Sequence, residues 1–156
     1  LSVAYINSDT LMARYKLAIL KRKELESEGR KMEKELVKKQ KAFEKDASYF
    51  QEQVSKNALS EKSAQEIYAA LMEEEQKLMN LRDKYNNELA QKEYEVNSML
   101  LDTITSFINK ENLKWKFDYI LGYTRGSNIF YAKKSMDITN EVVEKLNQEF
   151  EKALKE

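Results

Sequence analysis

Apolar residues recur at spacings of three, four and seven through most of the chain. Leu25, Met32, Leu36, Phe43, Ala47, Phe50 and Val54 form one series. Ile67 or Tyr68, Leu71, Leu78, Leu81, Tyr85, Leu89, Val96 and Met99 form a second. That spacing puts each series on one face of a helix. The stretch from Arg14 to Ile108 has a single glycine, Gly29, no proline, and mostly residues that favour helix. One break is predicted, at residues 56–60. There Asn57 tolerates a left-handed backbone, and Ser60 can cap a new helix with Glu61 in its first turn. The pattern predicts two antiparallel helices of roughly forty-five residues, each about 65 Å long at the usual helical rise. Both stripes are thin. Arg22, Gly29 and Lys39 or Gln40 interrupt the first, and Glu74, Glu75 and Lys92 the second. A stripe this narrow joins two helices into a hairpin without making a thick core.

The two ends of the chain read differently. Ser2–Ile6 is a short, partly β-branched apolar run, predicted as a buried strand. Asn7, Ser8 or Asp9 can cap the helix that follows, and Leu11, Met12, Tyr15, Ala18 and Ile19 appear at helical spacing. Near the other end, Tyr119–Tyr123 and Ile129–Ala132 flank Arg125-Gly126-Ser127-Asn128, which predicts a β-hairpin with a four-residue loop. Tyr119, Leu121 and Tyr123 point one way and Ile120 the other, so both faces of the first strand are apolar and want burial. Asp137 or Thr139 is placed to cap an amphipathic last helix carrying Val142, Val143, Leu146, Phe150 and Leu154.

Composition narrows the chemistry. There is no cysteine and no histidine, which excludes disulfides, thiol chemistry, zinc fingers and Ser-His or Cys-His nucleophile pairs. Absence of cysteine also suits an oxidising compartment. The start of the sequence, a strand with no leader, reads as a mature chain after leader removal or as a trimmed one. No run is long and apolar enough to span a membrane. Charged residues make up 35%, yet 27 basic residues balance 27 acidic ones. Neutrality argues against a specific nucleic-acid binder. The charge is divided, with 13 basic and 8 acidic residues over 14–56 and 6 basic and 10 acidic over 57–110. Carboxylates on long helices, Glu73-Glu74-Glu75 included, are usually solvated, and nothing assigns them to catalysis or to a metal. No phosphate loop is present, and no cofactor is expected.

A helical hairpin brings the ends of the chain together, so Val3–Ile6 can pair with the C-terminal strands in a sheet of three or four. Leu11, Met12, Val143, Leu146 and Phe150 can cover one face. The other face would be wet in a monomer, which predicts a small cyclic oligomer closed through it. Val3, Tyr5, Tyr119, Ile120, Leu121, Ile129, Phe130 and Tyr131 are the candidate interface residues. The fold expected is α+β, mainly α. Residues 1–13 and 109–156 form a small β body with flanking helices. Residues 14–108 form the long hairpin, its tip near 56–60. Because the stripes are under-filled, Met32, Leu36, Phe43, Phe50, Val54, Leu71, Met72, Leu78 and Met79 are candidates for contact with an unfolded guest. Met and aromatic side chains adapt to irregular apolar surfaces, and many weak contacts add by avidity.

Residues 4–11, Ala-Tyr-Ile-Asn-Ser-Asp-Thr-Leu, resemble the first strand and helix start of the Skp/OmpH-like periplasmic chaperones. Phe117–Tyr123, Ile129–Ala132 and Asp137-Ile138-Thr139 running into Asn147 resemble that family's closing signature. Together these ends cover roughly a third of the chain. The resemblance implies a homotrimer with a β-barrel body and three helical-hairpin tentacles. It implies a periplasmic, ATP-independent holdase that encloses unfolded outer-membrane β-barrel proteins and keeps them from aggregating. It also brings peripheral membrane or lipopolysaccharide contact into view, although this chain lacks the strong basicity of the best-known members and matches no motif for it. The alternative reading is a structural or adaptor coiled coil that docks one folded partner.

Overall fold

A computed structural model describes every residue from Leu1 to Glu156. The order is β1 (Val3–Asn7), α1 (Ser8–Arg14), α2 (Lys16–Ser55), α3 (Glu61–Trp115), β2 (Tyr119–Tyr123), a 3-10 turn (Lys134–Met136) and α4 (Thr139–Leu154). Packing divides the chain into two compact units, Leu1–Glu24 with Tyr94–Glu156, and Leu25–Glu93. Both long helices run unbroken through the positions where the units divide.

In the first unit, β1 and β2 pair in parallel, Val3 beside Tyr119 through Asn7 beside Tyr123. The pairing is locked at its start, where the Ser2 amide donates to the Asp118 carboxylate at 2.6 Å and the Asp118 amide donates back to the Ser2 carbonyl at 2.8 Å. Strand alternation then sorts the side chains. Ala4 and Ile6 are buried and Ile120 packs against the core, whereas Tyr119 and Leu121 stay exposed. Leu11, Tyr15, Ala18, Leu100, Phe107, Val142, Val143 and Leu146 complete the buried cluster, with Met12 and Phe150 packed against it. The helices expected to cover one face of the sheet do cover it.

The sheet itself is smaller than expected. It has two strands, and Ile129–Ala132 is not a strand. The turn of the predicted hairpin does form, since the Ser127 amide donates to the Thr124 carbonyl at 3.0 Å and Gly126 takes φ +85°. What fails is the return strand. β1 is already occupied on its second edge, where the Ile138 amide donates to the Tyr5 carbonyl at 3.0 Å and the Asn7 amide donates to the Thr139 hydroxyl at 2.8 Å. The outer edge of β2 is the berth left, and in one chain it offers burial on one side at most. Phe130 is 98% exposed and Tyr131 84%.

The cap expected at Asp9, Ser8 or Asn7 falls to Asn7, whose side chain accepts from the Thr10 amide at 3.0 Å. The first helical stretch breaks at Tyr15, in an extended conformation, where periodicity alone predicted continuity. The break is mended from far along the chain. The Asn147 side-chain carbonyl accepts from the Lys16 amide at 2.8 Å, and its NH₂ donates to the Arg14 carbonyl at 3.1 Å. One side chain thus satisfies a donor at the start of α2 and an acceptor at the end of α1. Neither Asp137 nor Thr139 is the N-cap of α4, which is Ile138 without a side-chain cap. Asp137 acts from one residue further out and accepts from the Thr139 amide at 2.9 Å.

Glu111 on α3 is 7% exposed and is met by Lys145 of α4 at 3.0 Å. The same ammonium sits 5.2 Å from the centre of the Trp115 ring, and the Trp115 indole donates to Glu141 at 3.2 Å. The hydrogen bond from Lys145 holds the Glu111 carboxyl below the usual carboxylate range, against the opposing pull of burial.

The second unit is a hairpin of the C-terminal part of α2 and the N-terminal part of α3. Its turn follows the predicted chemistry. Asn57 is left-handed at φ +51°. The Ala58 amide reaches back to the Gln53 carbonyl at 3.0 Å and the Asn57 amide to Val54 at 3.1 Å, the Schellman pattern. The Ser60 hydroxyl accepts from the Ser63 amide at 3.1 Å and caps α3. Register is set by Lys92 donating to Glu28 at 2.8 Å and by Tyr85 donating to Glu35. At Gly29 the helices lie close, and a Cβ there would stand 3.5 Å from a Leu89 methyl, an ordinary contact.

Three outcomes are expected. Asn147→Ala should lower stability by about 1–2 kcal/mol, as two hydrogen bonds to the break are lost, and Asn147→Asp, which keeps only the acceptor, should lie between; denaturant unfolding checks both. Glu111 has a depressed folded-state pKa, so its contribution is full above the ordinary carboxylate range and is lost as pH falls through the lower value. Glu111→Gln should therefore be less stable than the parent at neutral pH, with the gap closing as pH falls below the ordinary carboxylate range; a constant gap in thermal melts from neutral to acid pH would refute the assignment. Gly29→Ala should raise stability by about 1 kcal/mol, the helix-propensity difference, because the added methyl meets no clash.

Candidate functional site

The second unit holds the residues expected to meet a guest. Heptad geometry turns one stripe of each helix toward the other, and the structure shows how much of the stripe the hairpin itself consumes. Leu36 and Leu71 are buried. Met32, Phe43, Phe50 and Leu78 are half-buried along the seam. Val54, Met72 and Met79 remain exposed, Met79 by 55%. So the nine candidates do not form one surface. Six belong wholly or partly to the hairpin seam, and three face water, Val54 on α2 and Met72 and Met79 on one face of α3.

Two exposed apolar side chains, Tyr49 and Val37, lie outside both series read from the sequence. Tyr49 is 63% exposed, and Tyr68, Val37 and Ile67 also face solvent. The signal for Tyr49 was its position next to Phe50, one step off the seam. Near the turn Tyr49 and Ile67 border a cavity of about 360 Å³ between the two helices. Tyr49, Phe50, Leu59, Ile67 and Leu71 line it, with Asp46 and Glu74 at the same opening. Further from the turn, a cavity of about 340 Å³ at Leu36 and Val37 is bordered by Glu33, Lys41, Glu44 and Arg82, and its character is polar.

The candidate interface residues lie in the first unit. Val3, Tyr5, Tyr119 and Leu121 share the open face of the sheet by register. Tyr123 joins them, its ring edge-on to Tyr5 at 6.1 Å. Burial of Tyr5 and the neighbouring Asp137 carboxylate push its phenol up from the ordinary value. Ile120 points to the other face and packs against the core. Ile129 is half-buried, and Phe130 and Tyr131 stand in water beyond the bare edge of β2. The open face, that edge and the two free rings are contiguous in sequence with β2 and form an unsatisfied apolar and hydrogen-bonding surface. Beneath the sheet, a second apolar cavity of about 320 Å³ is lined by Leu11, Met12, Leu100, Leu101, Ile104 and Ile120 among others.

No group of three or more acidic side chains is arranged to hold a metal ion. No helix is long and apolar enough to cross a membrane. The structure presents exposed apolar side chains on the hairpin and an open sheet face.

The model of the family described as "Outer membrane protein (OmpH-like)" matches residues 2–146. A crystal structure of an OmpH-like protein from Caulobacter crescentus, proposed to be an outer membrane chaperone, superposes with a TM-score of 0.83 at 17% identity and covers 95% of this chain and 85% of that one. At that identity the likeness speaks for the fold. No curated protein matches the sequence.

Proposed function

We propose that this chain, which belongs to the OmpH-like family of outer membrane proteins, is an ATP-independent periplasmic holdase for unfolded outer-membrane β-barrel proteins. The observation that carries the reading is the distribution of apolar side chains on the second unit. Tyr49 and Val54 are exposed on α2, and Tyr68, Met72 and Met79 on one face of α3, each in a narrow stripe. Such a surface suits a chain with no fixed shape, held weakly at many points, with avidity supplying the net affinity. A folded partner would call for one contiguous patch.

Several copies acting together multiply those points. We assign residues 1–13 and 109–156 to a trimerisation body and residues 14–108 to the client-holding hairpin. In the body, the open face of Val3, Tyr5, Tyr119 and Leu121, the unpaired edge of β2 and Ile129, Phe130 and Tyr131 would meet the same elements of neighbouring copies. The strand that one chain cannot form at Ile129–Ala132 would gain its second face there, and a barrel closed this way has no edge left to aggregate. Ile120 supports that interface from behind, through the core. The role requires no covalent step and no nucleotide.

Light scattering on the purified protein, alone and after mixing with a porin diluted out of urea, tests both parts. A trimer mass that rises by one client while turbidity stays flat is the expected result. Phe130→Lys, at a side chain exposed in the single chain, should keep helicity, lose the trimer mass and lose the protection. A trimer that leaves the porin to aggregate would make the adaptor reading the better one. A Phe130→Lys variant with the parent's mass would remove these rings from the interface.

A further inference from the structure

We infer that the cavity beside the hairpin turn is a docking site for segments of unfolded chain in which an apolar side chain lies next to lysine or arginine. The inference deepens the holdase reading and takes its purpose from it, while its chemistry rests on the cavity alone. Tyr49, Phe50, Leu59, Ile67 and Leu71 give the cavity apolar walls, and its volume of about 360 Å³ admits a side chain as large as Phe or Leu. Tyr49 is 63% exposed, so the wall is open to a guest and is not used up by the hairpin.

The occupant is chosen by charge. The register set by Glu28 with Lys92 and Glu35 with Tyr85 also places Asp46 opposite Glu74, and both line the cavity. Neither carboxylate has an ion-pair or hydrogen-bond partner, whereas nearby Glu52 is paired with Lys56 and Glu73 with Lys77. Two like charges at one opening repel each other. The surroundings add to this field. Between Phe43 and Lys77 there are 8 acidic and 4 basic residues, although the whole chain is neutral. A cation held at the mouth would relieve the repulsion and would also face the Tyr49 and Phe50 rings, which attract ammonium and guanidinium groups. An apolar side chain in the cavity with a basic neighbour at its mouth satisfies both features, and an acidic neighbour would be repelled.

The test uses the full-length protein and short fluorescent peptides of equal length, each with one central Phe flanked by arginines, by serines or by glutamates. The parent should bind the arginine peptide about fivefold more tightly than the serine peptide, the scale of one exposed ion pair, and the gap should narrow in high salt. Asp46→Asn with Glu74→Gln should erase that preference, leave the serine peptide's affinity unchanged and raise the melting temperature. Tyr49→Ala should weaken all three peptides. A parent without the preference, or a double variant that keeps it, would overturn the site. The porin assay reads the broader role separately. Selective peptide binding with an unprotected porin would keep the docking site and reject the holdase. Protection of the porin without peptide preference would do the reverse.

Discussion

Pairing of the two chain ends is the constraint on which the first unit depends. Ser2 and Asp118 are 116 residues apart in the chain and are joined by reciprocal hydrogen bonds. Closing a flexible loop of that length would cost about 4 kcal/mol, more than a two-stranded sheet commonly returns. The intervening chain is not flexible. It is helix, reversed once by a Schellman turn whose own residues specify it. β1 then gains a second anchor from Asp137–Thr139, so a five-residue strand is held on both edges by segments that follow the hairpin. The helix-facing residues of β1, Ala4 and Ile6, can be buried only because that clamp sets the register, and the packing of α1 and α4 against them follows from it.

The clamp also explains why Ile129–Ala132 was misjudged. In the sequence the run has every mark of a hairpin strand, and its turn does form. A strand's existence is a property of its partners as much as of its residues, and here the one edge left, that of β2, offers burial on one side at most in a single chain. The break at Tyr15 was hidden for a related reason. No glycine or proline announces it, and the helical period runs through it. It is stabilised by Asn147, which reads as an ordinary polar helix position until the fold brings it to Arg14 and Lys16. Local signals were sufficient where the structure is local. Asn57 and Ser60 located the turn of the hairpin, and the run Asn7-Ser8-Asp9 bracketed the first cap, which the structure gives to Asn7. The same limit applies to the candidate site. Heptad spacing identified Leu36 and Leu71 as seam residues and Met79 as apolar, but which apolar side chains the hairpin would leave in water depended on the facing helix. Tyr49, a step off the stripe, could not be told from an incidental surface aromatic.

Charge in this protein is informative as a distribution. The chain sums to zero, which removes long-range steering of a polyanion as a theme. Along the second unit the acidic excess gathers toward the turn, and the ion pairs that could neutralise it are mostly spaced within one helix, as in Glu52 with Lys56 and Glu73 with Lys77. Pairs that cross between helices, such as Glu28 with Lys92, lie away from the turn. The cross-helix electrostatics thus favour the hairpin at one end and oppose it at the other.

Two demands on the seam conflict, and the structure shows where each prevails. A hairpin built only for stability would fill its facing positions with Leu or Ile and leave no cavity, since each well-buried side chain contributes about 1.5–3 kcal/mol. Here only Leu36 and Leu71 are well buried in the second unit, and the seam elsewhere carries Gly29, Gln40 and Glu74. The apolar material displaced from the seam appears beside it, exposed, in Tyr49, Ile67, Met72 and Met79. A helix pair can be left this under-packed because the other unit carries a contiguous core of its own, with Leu100, Phe107, Val142, Val143 and Leu146 buried together. Buried core is concentrated where the chain ends meet, and exposed apolar surface where the chain turns. That separation leaves the hairpin loosely packed without risk to the fold.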